Sequence, residues 1–143
     1  MICADTSFLI SLYGTDVHTP AAKQRFTDAG QPLVIHTIGE FEFQNALRNL
    51  VFQRRITGEQ RLAWLANYTA DKQAHILLYA HIAEEYVLDR AASLSEKHTL
   101  TGGHRSYDLL IVAAALEAGA TEFWSFDARQ RELAVAEGLG VGP

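Results

Sequence analysis

The sequence predicts an α/β fold: a short, mainly parallel central sheet covered by helices on both faces. Three observations carry this reading. Short β-rich runs (ICA, PLVIH, EFWSF) alternate with longer stretches of helical periodicity, and such alternation implies right-handed crossovers between parallel strands. One helical stretch, SYDLLIVAAALEAGA, is so apolar on every side that it must be buried. Acidic residues recur just past the strand ends, the edge at which sheets of this kind form their sites.

In chain order, Ile2-Cys3-Ala4 reads as the first strand, and Asp5-Thr6-Ser7 offers three capping side chains to a helix opening with FLISLY. PLVIH (residues 32–36) is the second strand and enters a helix that continues to about Arg55. Thr57 with Gln60 forms a capping pattern for the next helix, and HIAEEYVLDRAASLSEKH is a further amphipathic one. Gly102-Gly103 breaks the chain before the buried helix, and Gly119 suits its C-terminal cap. EFWSF is a strand, Asp127 opens the helix ARQRELAVAEG, and LGV is a last short strand. Nothing of a linker, repeat or low-complexity tract interrupts this series, so residues 1–143 are expected to form a single domain.

At 143 residues and 48% hydrophobic content the chain can bury a core of its own. A lone cysteine, Cys3, and an opening MICADTS without a basic, apolar leader point to a reducing, cytoplasmic setting. The longest apolar run, LLIVAAAL, is far shorter than the roughly 20 residues that span a bilayer, so no membrane segment is expected. A net charge of −5 disfavours a broad basic grip on nucleic acid. Yet arginine outnumbers lysine nine to three, and Arg48, Arg54, Arg55 and Arg61 lie close in sequence. Guanidinium forks match phosphate geometry, although Arg54-Arg55 also suits a solvated helix end.

Four acids fall at equivalent places: Asp5 after the first strand, Glu42 in the first turns after the second, Asp108 opening the buried helix and Asp127 after EFWSF. Topology brings strand ends together, so these carboxylates can converge on one pocket. Convergence is electrostatically costly unless a divalent cation compensates it. Oxygen donors without cysteine or histidine favour Mg²⁺ or Mn²⁺ over Zn²⁺. Each acid singly also suits a helix N-terminus, where free N–H groups and the dipole stabilise it. That account weakens for the set, because Thr6 or Ser7 can cap the first helix and Ser106 the buried one.

The stretch GEFEFQNAL holds two glutamates about 200° apart on a helix, so one site cannot easily use both. Thr37-Ile38-Gly39-Glu40 fits a capping box, which gives Glu40 a structural task. Phe43, Ala46, Leu47 and Leu50 form the core stripe, whereas Glu42 shares a flanking stripe with Asn45 and Asn49. Glu42 is therefore the site candidate.

These motifs resemble the PIN-domain proteins, and among them the VapC-type toxins of bacterial and archaeal toxin–antitoxin pairs. ADTSFLI resembles the family's opening strand, EFQNAL its glutamate followed by Asn-Ala-Leu, RSYDLLIVAAAL its third motif, and FWSFD its closing Thr-x-Asp. Ser125 replaces the more frequent threonine and keeps a hydroxyl. The resemblance spans nearly the whole chain except residues 57–98. It implies a PIN-like three-layer α/β/α fold and an endoribonuclease in which Asp5, Glu42, Asp108 and Asp127 gather Mg²⁺ or Mn²⁺. Asp5 and Asp108 are expected as direct ligands, with Thr6, Ser125 and Asn45 supporting the acids. Arg105, His104 and Arg129 are candidates to touch RNA. The implied partners are a second copy of the chain and an antitoxin whose tail blocks the acidic pocket.

Competing readings fit less well. A phosphoacceptor receiver domain needs an acidic pair after the first strand and a lysine after the last, whereas Asp5 precedes Thr6-Ser7 and the helix after Asp127 carries Arg129 and Arg131. A haloacid-type phosphatase wants Asp-x-Asp, and position 7 is serine. An RNA-processing nuclease outside a toxin–antitoxin pair, or an inactive binding module on the same fold, is the remaining alternative. His36, His75, His81, His98 and His104 show no metal spacing. Tyr107, Phe41 and Phe52 suggest an apolar surface for a partner.

Overall fold

A computed structural model describes residues 1–143. Five three-residue strands, β1 (Ile2–Ala4), β2 (Leu33–Ile35), β3 (Leu77–Tyr79), β4 (Glu122–Trp124) and β5 (Gly140–Gly142), form one sheet in the order β3-β2-β1-β4-β5. Every pairing is parallel, with Cys3 opposite Val34 on one side and Phe123 on the other. Seven helices connect them: α1 (Thr6–Tyr13), α2 (Thr19–Ala29), α3 (Thr37–Phe52), α4 (Gly58–Gln73), α5 (Glu84–Gly102), α6 (Ser106–Glu117) and α7 (Ala128–Ala136).

The strand period of two divides the core into two layers. Ile2, Ala4, Leu33, Ile35 and Trp124 point to one face, where they meet Phe8, Leu9, Leu12, Phe43, Leu47 and Tyr68 of α1, α3 and α4. Cys3, Val34 and Phe123 point to the other, against Val87, Ala91, Leu94, Ile111, Val112, Ala115 and Leu133 of α5, α6 and α7. Both faces are covered, which is the three-layer α/β/α arrangement. The apolar α6 is buried along Leu109 and Ile111–Ala115, as its composition requires. No helix is long and apolar enough to cross a membrane.

The chain runs β1, β2, β3 in one direction and then returns to add β4 and β5 on the opposite side of β1. The strand order therefore reverses between β1 and β4, and the crevice beyond their carboxyl ends is where an open parallel sheet binds ligand. Asp5 continues this ladder, its N–H donating to the Trp124 carbonyl at 3.0 Å.

Two elements lie outside the strand and helix pattern read from the sequence. The helix α2 fully buries only Ala22, with Phe26 and Ala29 partly buried on the same narrow stripe. The edge strand β3 buries only Leu77 and sits in the stretch 57–98 that carries no motif. Two boundaries also move: α3 stops at Phe52 rather than near Arg55, and α5 runs from Glu84 to Gly102 rather than over 81–98. The Thr57–Gln60 capping box forms as expected, with both reciprocal bonds in place. Gly103, at φ +62, supplies the left-handed residue that ends α5.

Candidate active site

At the switch point, Asp5, Thr6, Ser7, Glu42, Arg105, Asp108, Asp127 and Gln130 line one cavity of about 540 Å³. Asp5 leaves β1 with extended backbone and is fully buried. Its Oδ1 accepts from Phe8 N at 2.8 Å and from Ser7 Oγ at 2.8 Å, and its Oδ2 accepts from Ser125 Oγ at 2.7 Å. Burial pushes this carboxyl up to about 6, against the opposing pull of those bonds, and the Asp127 charge acts in the same direction as burial. No cationic side chain pairs with Asp5.

Glu42 reaches the cavity from the second turn of α3, and the Thr6 hydroxyl donates to its Oε2. Its carboxyl is also shifted upward, first by burial; Thr6 opposes the shift and Asp108 adds to it. Asp108, nearly buried at the start of α6, accepts from Arg105 Nε at 3.2 Å and from Gln130 Nε2 at 3.3 Å. Asp127 follows β4 and caps α7, accepting from Arg129 N at 2.9 Å and Gln130 N at 3.2 Å. The Arg105 guanidinium also lies 3.9 Å from Asp127 Oδ2, so one exposed cation spans two of the four acids. The stretches that the sequence singled out thus bring all four carboxylates to one cavity.

The sequence profile of the PIN domain family matches residues 2–136. The chain belongs to the PIN domain family. Solved structures agree on the fold. VapC20 of Mycobacterium tuberculosis, described as a sarcin-ricin loop cleaving toxin, superposes with a TM-score of 0.73 at 18% identity, covering 100% of both chains. VapBC2 of Rickettsia felis, solved bound to a DNA fragment from its promoter, gives a TM-score of 0.69 at 15% identity over 99% of this chain and 98% of the other. No curated protein sequence matches the chain.

Within this PIN domain, several residues do other work than the sequence suggested. Asp5 itself caps α1, and Ser7 donates into it instead of replacing it. Ser106 makes no capping bond on α6. His36, not Thr37, caps α3, and Glu40 forms no capping box: it accepts from Tyr68 Oη at 3.2 Å and pairs with Lys72 Nζ at 2.5 Å. Asn45 is exposed and outside the cavity lining. His104 is turned away from the cavity, with its ring at the place a Cβ on Gly102 would occupy and edge-on to His98. Arg129 lines a neighbouring depression with Arg105 and Asp127. Phe41 and Tyr107 are exposed and stack at 6.4 Å between ring centroids, with Tyr107 on the cavity rim. Gln130 was not singled out in the sequence; it is 4% exposed and lines the cavity.

Proposed function

We propose that this PIN domain is a Mg²⁺- or Mn²⁺-dependent endoribonuclease of the cytoplasm and the toxin of a toxin–antitoxin pair. The observation that carries the proposal is the gathering of Asp5, Glu42, Asp108 and Asp127 from four separate stretches of chain into one cavity. All four donors are carboxylate oxygens, and neither cysteine nor histidine lines the cavity, a set that suits a hard divalent ion. Asp5 lacks a cation and Arg105 stands in for one between Asp108 and Asp127, which is the charge demand a divalent ion would meet. No three of the acids stand at ligating distance of one common point, so holding an ion would require their side chains to draw together within the cavity. The likeness in fold to VapC20 and VapBC2 supports the toxin reading.

When bound, Mg²⁺ or Mn²⁺ activates a water and neutralises charge building on the phosphate. The chain's own residues hold and orient. Asp5, Glu42, Asp108 and Asp127 supply the binding oxygens; Ser7 and Ser125 fix the Asp5 carboxylate, and Thr6 fixes Glu42. Arg105, with a side chain 70% exposed, is free to leave the acids and pair with a phosphate of the RNA, and Arg129 extends the basic rim. A second copy of the chain and a cognate antitoxin complete the proposed set of partners, and the exposed Phe41–Tyr107 pair beside the cavity suits such a contact.

Incubation with RNA and Mn²⁺, followed by analysis of the fragment ends, tests the activity. Attack by water leaves 5′-phosphate and 3′-hydroxyl ends, because the ribose 2′-OH takes no part. Fragments ending in 2′,3′-cyclic phosphate assign the cleavage to a different chemistry. A small protein encoded beside this one that inhibits the cleavage identifies the antitoxin.

Arg105 gives a separate test. Arg105→Gln removes the internal cation that competes for Asp108 and Asp127, so Mn²⁺ is expected to bind about two- to fivefold tighter, the worth of an exposed ion pair, while cleavage slows. Calorimetric titration decides; weaker Mn²⁺ binding by the variant counts against the competition.

A further inference from the structure

We infer that Gln130 is a positioning residue for the cation site, holding Asp108 and Asp127 in register. The inference rests on the metal-dependent reading above. Gln130 stands three residues beyond Asp127, in the first turn of α7, where its side chain turns inward. Its backbone N–H donates to Asp127 Oδ1 at 3.2 Å, and its side-chain Nε2 donates to Asp108 Oδ1 at 3.3 Å. One residue thus ties together an acid that follows β4 and an acid in the first turn of α6.

Both donors are neutral. They restrain the carboxylates without compensating their charge, unlike Arg105, whose guanidinium does both. A carboxylate ligand depends on such outer bonds for its orientation, and their loss typically costs ten- to a hundredfold in metal affinity.

The other end of the amide is unusual. Gln130 Oε1 is buried and has no hydrogen-bond partner, one of only two such side-chain atoms in the protein. A buried acceptor left unpaired destabilises the fold, so an apolar residue of similar shape would be the better choice if the side chain served packing alone. The amide orientation follows from Asp108, because an ionised carboxylate accepts and cannot donate to a carbonyl.

Gln130→Met keeps the side-chain length and removes both polar ends. Without metal, its melting temperature is expected to equal or exceed that of the parent. Its Mn²⁺ affinity by calorimetry is expected to fall about tenfold. In an Asp108→Asn background the same change should shift affinity less than twofold, because the residue acts through Asp108. An equal affinity for parent and Gln130→Met overturns the inference and leaves the metal reading standing. So does a variant that melts well below the parent without metal, which makes Gln130 a structural core residue, or an undiminished loss in the Asp108→Asn background. A parent protein that binds no Mn²⁺ overturns both.

Discussion

Asp5→Asn is expected to abolish RNA cleavage and, in the absence of metal, to make the protein more stable at neutral pH. The Asp5 carboxyl is fully buried without a cation and titrates near 6 in the fold, against an ordinary value of 3.8. With the folded value raised, the unprotonated unfolded chain gains over the fold as pH rises from about 4 through 6. The stability contribution is therefore fully present below pH 4 and lost above pH 6. Two units correspond to on the order of 3 kcal/mol. Asparagine recovers only part of this, because its amide nitrogen cannot accept from Ser125 or Ser7 as the carboxylate does. A net gain of about 1–2 kcal/mol at pH 7.5 follows, a rise of roughly 3–6 °C for a domain of this size. Melting in EDTA at pH 7.5 and at pH 3.5 measures it: the variant should melt above the parent at the first and below it at the second, where the parent's Asp5 is protonated and keeps its bonds. Asp108→Asn should lose cleavage as completely, but with a modest loss of stability, because Arg105 and Gln130 donate to different oxygens and the single amide oxygen can accept from only one of them. Cleavage near the parent rate by either variant with Mn²⁺ removes the four-acid site.

The elements that place the site were the legible ones, and for a physical reason. The strands β1 and β2 run directly into a capping residue and a helix, and β4 reaches its capping Asp127 after Ser125-Phe126, so the carboxyl end of each carries a local signal. The helix α2 and the strand β3 carry a weaker signal, because each fully buries a single residue, Ala22 and Leu77, and their other core contacts, Phe26, Ala29 and Tyr79, are only partly buried. The gathering of the acids followed from topology, whereas their local roles did not follow from elimination. Capping and site work are not exclusive, because a carboxylate has two oxygens and about four lone-pair directions. Asp5 caps α1 with Oδ1 and meets Ser125 with Oδ2, and Asp127 caps α7 while lining the cavity. Asn45 fails in the opposite way: a position on the same helical stripe as Glu42, one turn further from the strand end, already lies in solvent. Gln130 carried no motif, and only its place in the first turn after Asp127 hinted that it faces the same edge of the sheet.

Glu42→Gln is the second large effect expected, and Glu40→Gln its internal control on the same helix. Two residues apart, the side chains serve opposite surroundings. Glu42 enters the acid cavity and takes the Thr6 hydroxyl, whereas Glu40 lies among Tyr68 and Lys72 of α4. Glutamine at 42 keeps an oxygen for Thr6 and the shape of the side chain but deletes one charge from the metal pocket. Metal affinity and turnover should both fall on the order of 10- to 100-fold while the helix content is unchanged. Glutamine at 40 keeps the acceptor for Tyr68 and loses only the ionic part of the Lys72 pair, whose members are 28% and 19% exposed. Its cost should be about 1 kcal/mol, the upper end for partly solvated pairs, with activity per folded molecule preserved. Glu40→Ala leaves Lys72 and Tyr68 both without an acceptor there and should be the less stable of the two, again with cleavage intact. Mn²⁺ titration and RNA cleavage by the position-40 and position-42 glutamine variants side by side decide the assignment: it fails if Glu40→Gln is the inactive protein and Glu42→Gln the active one.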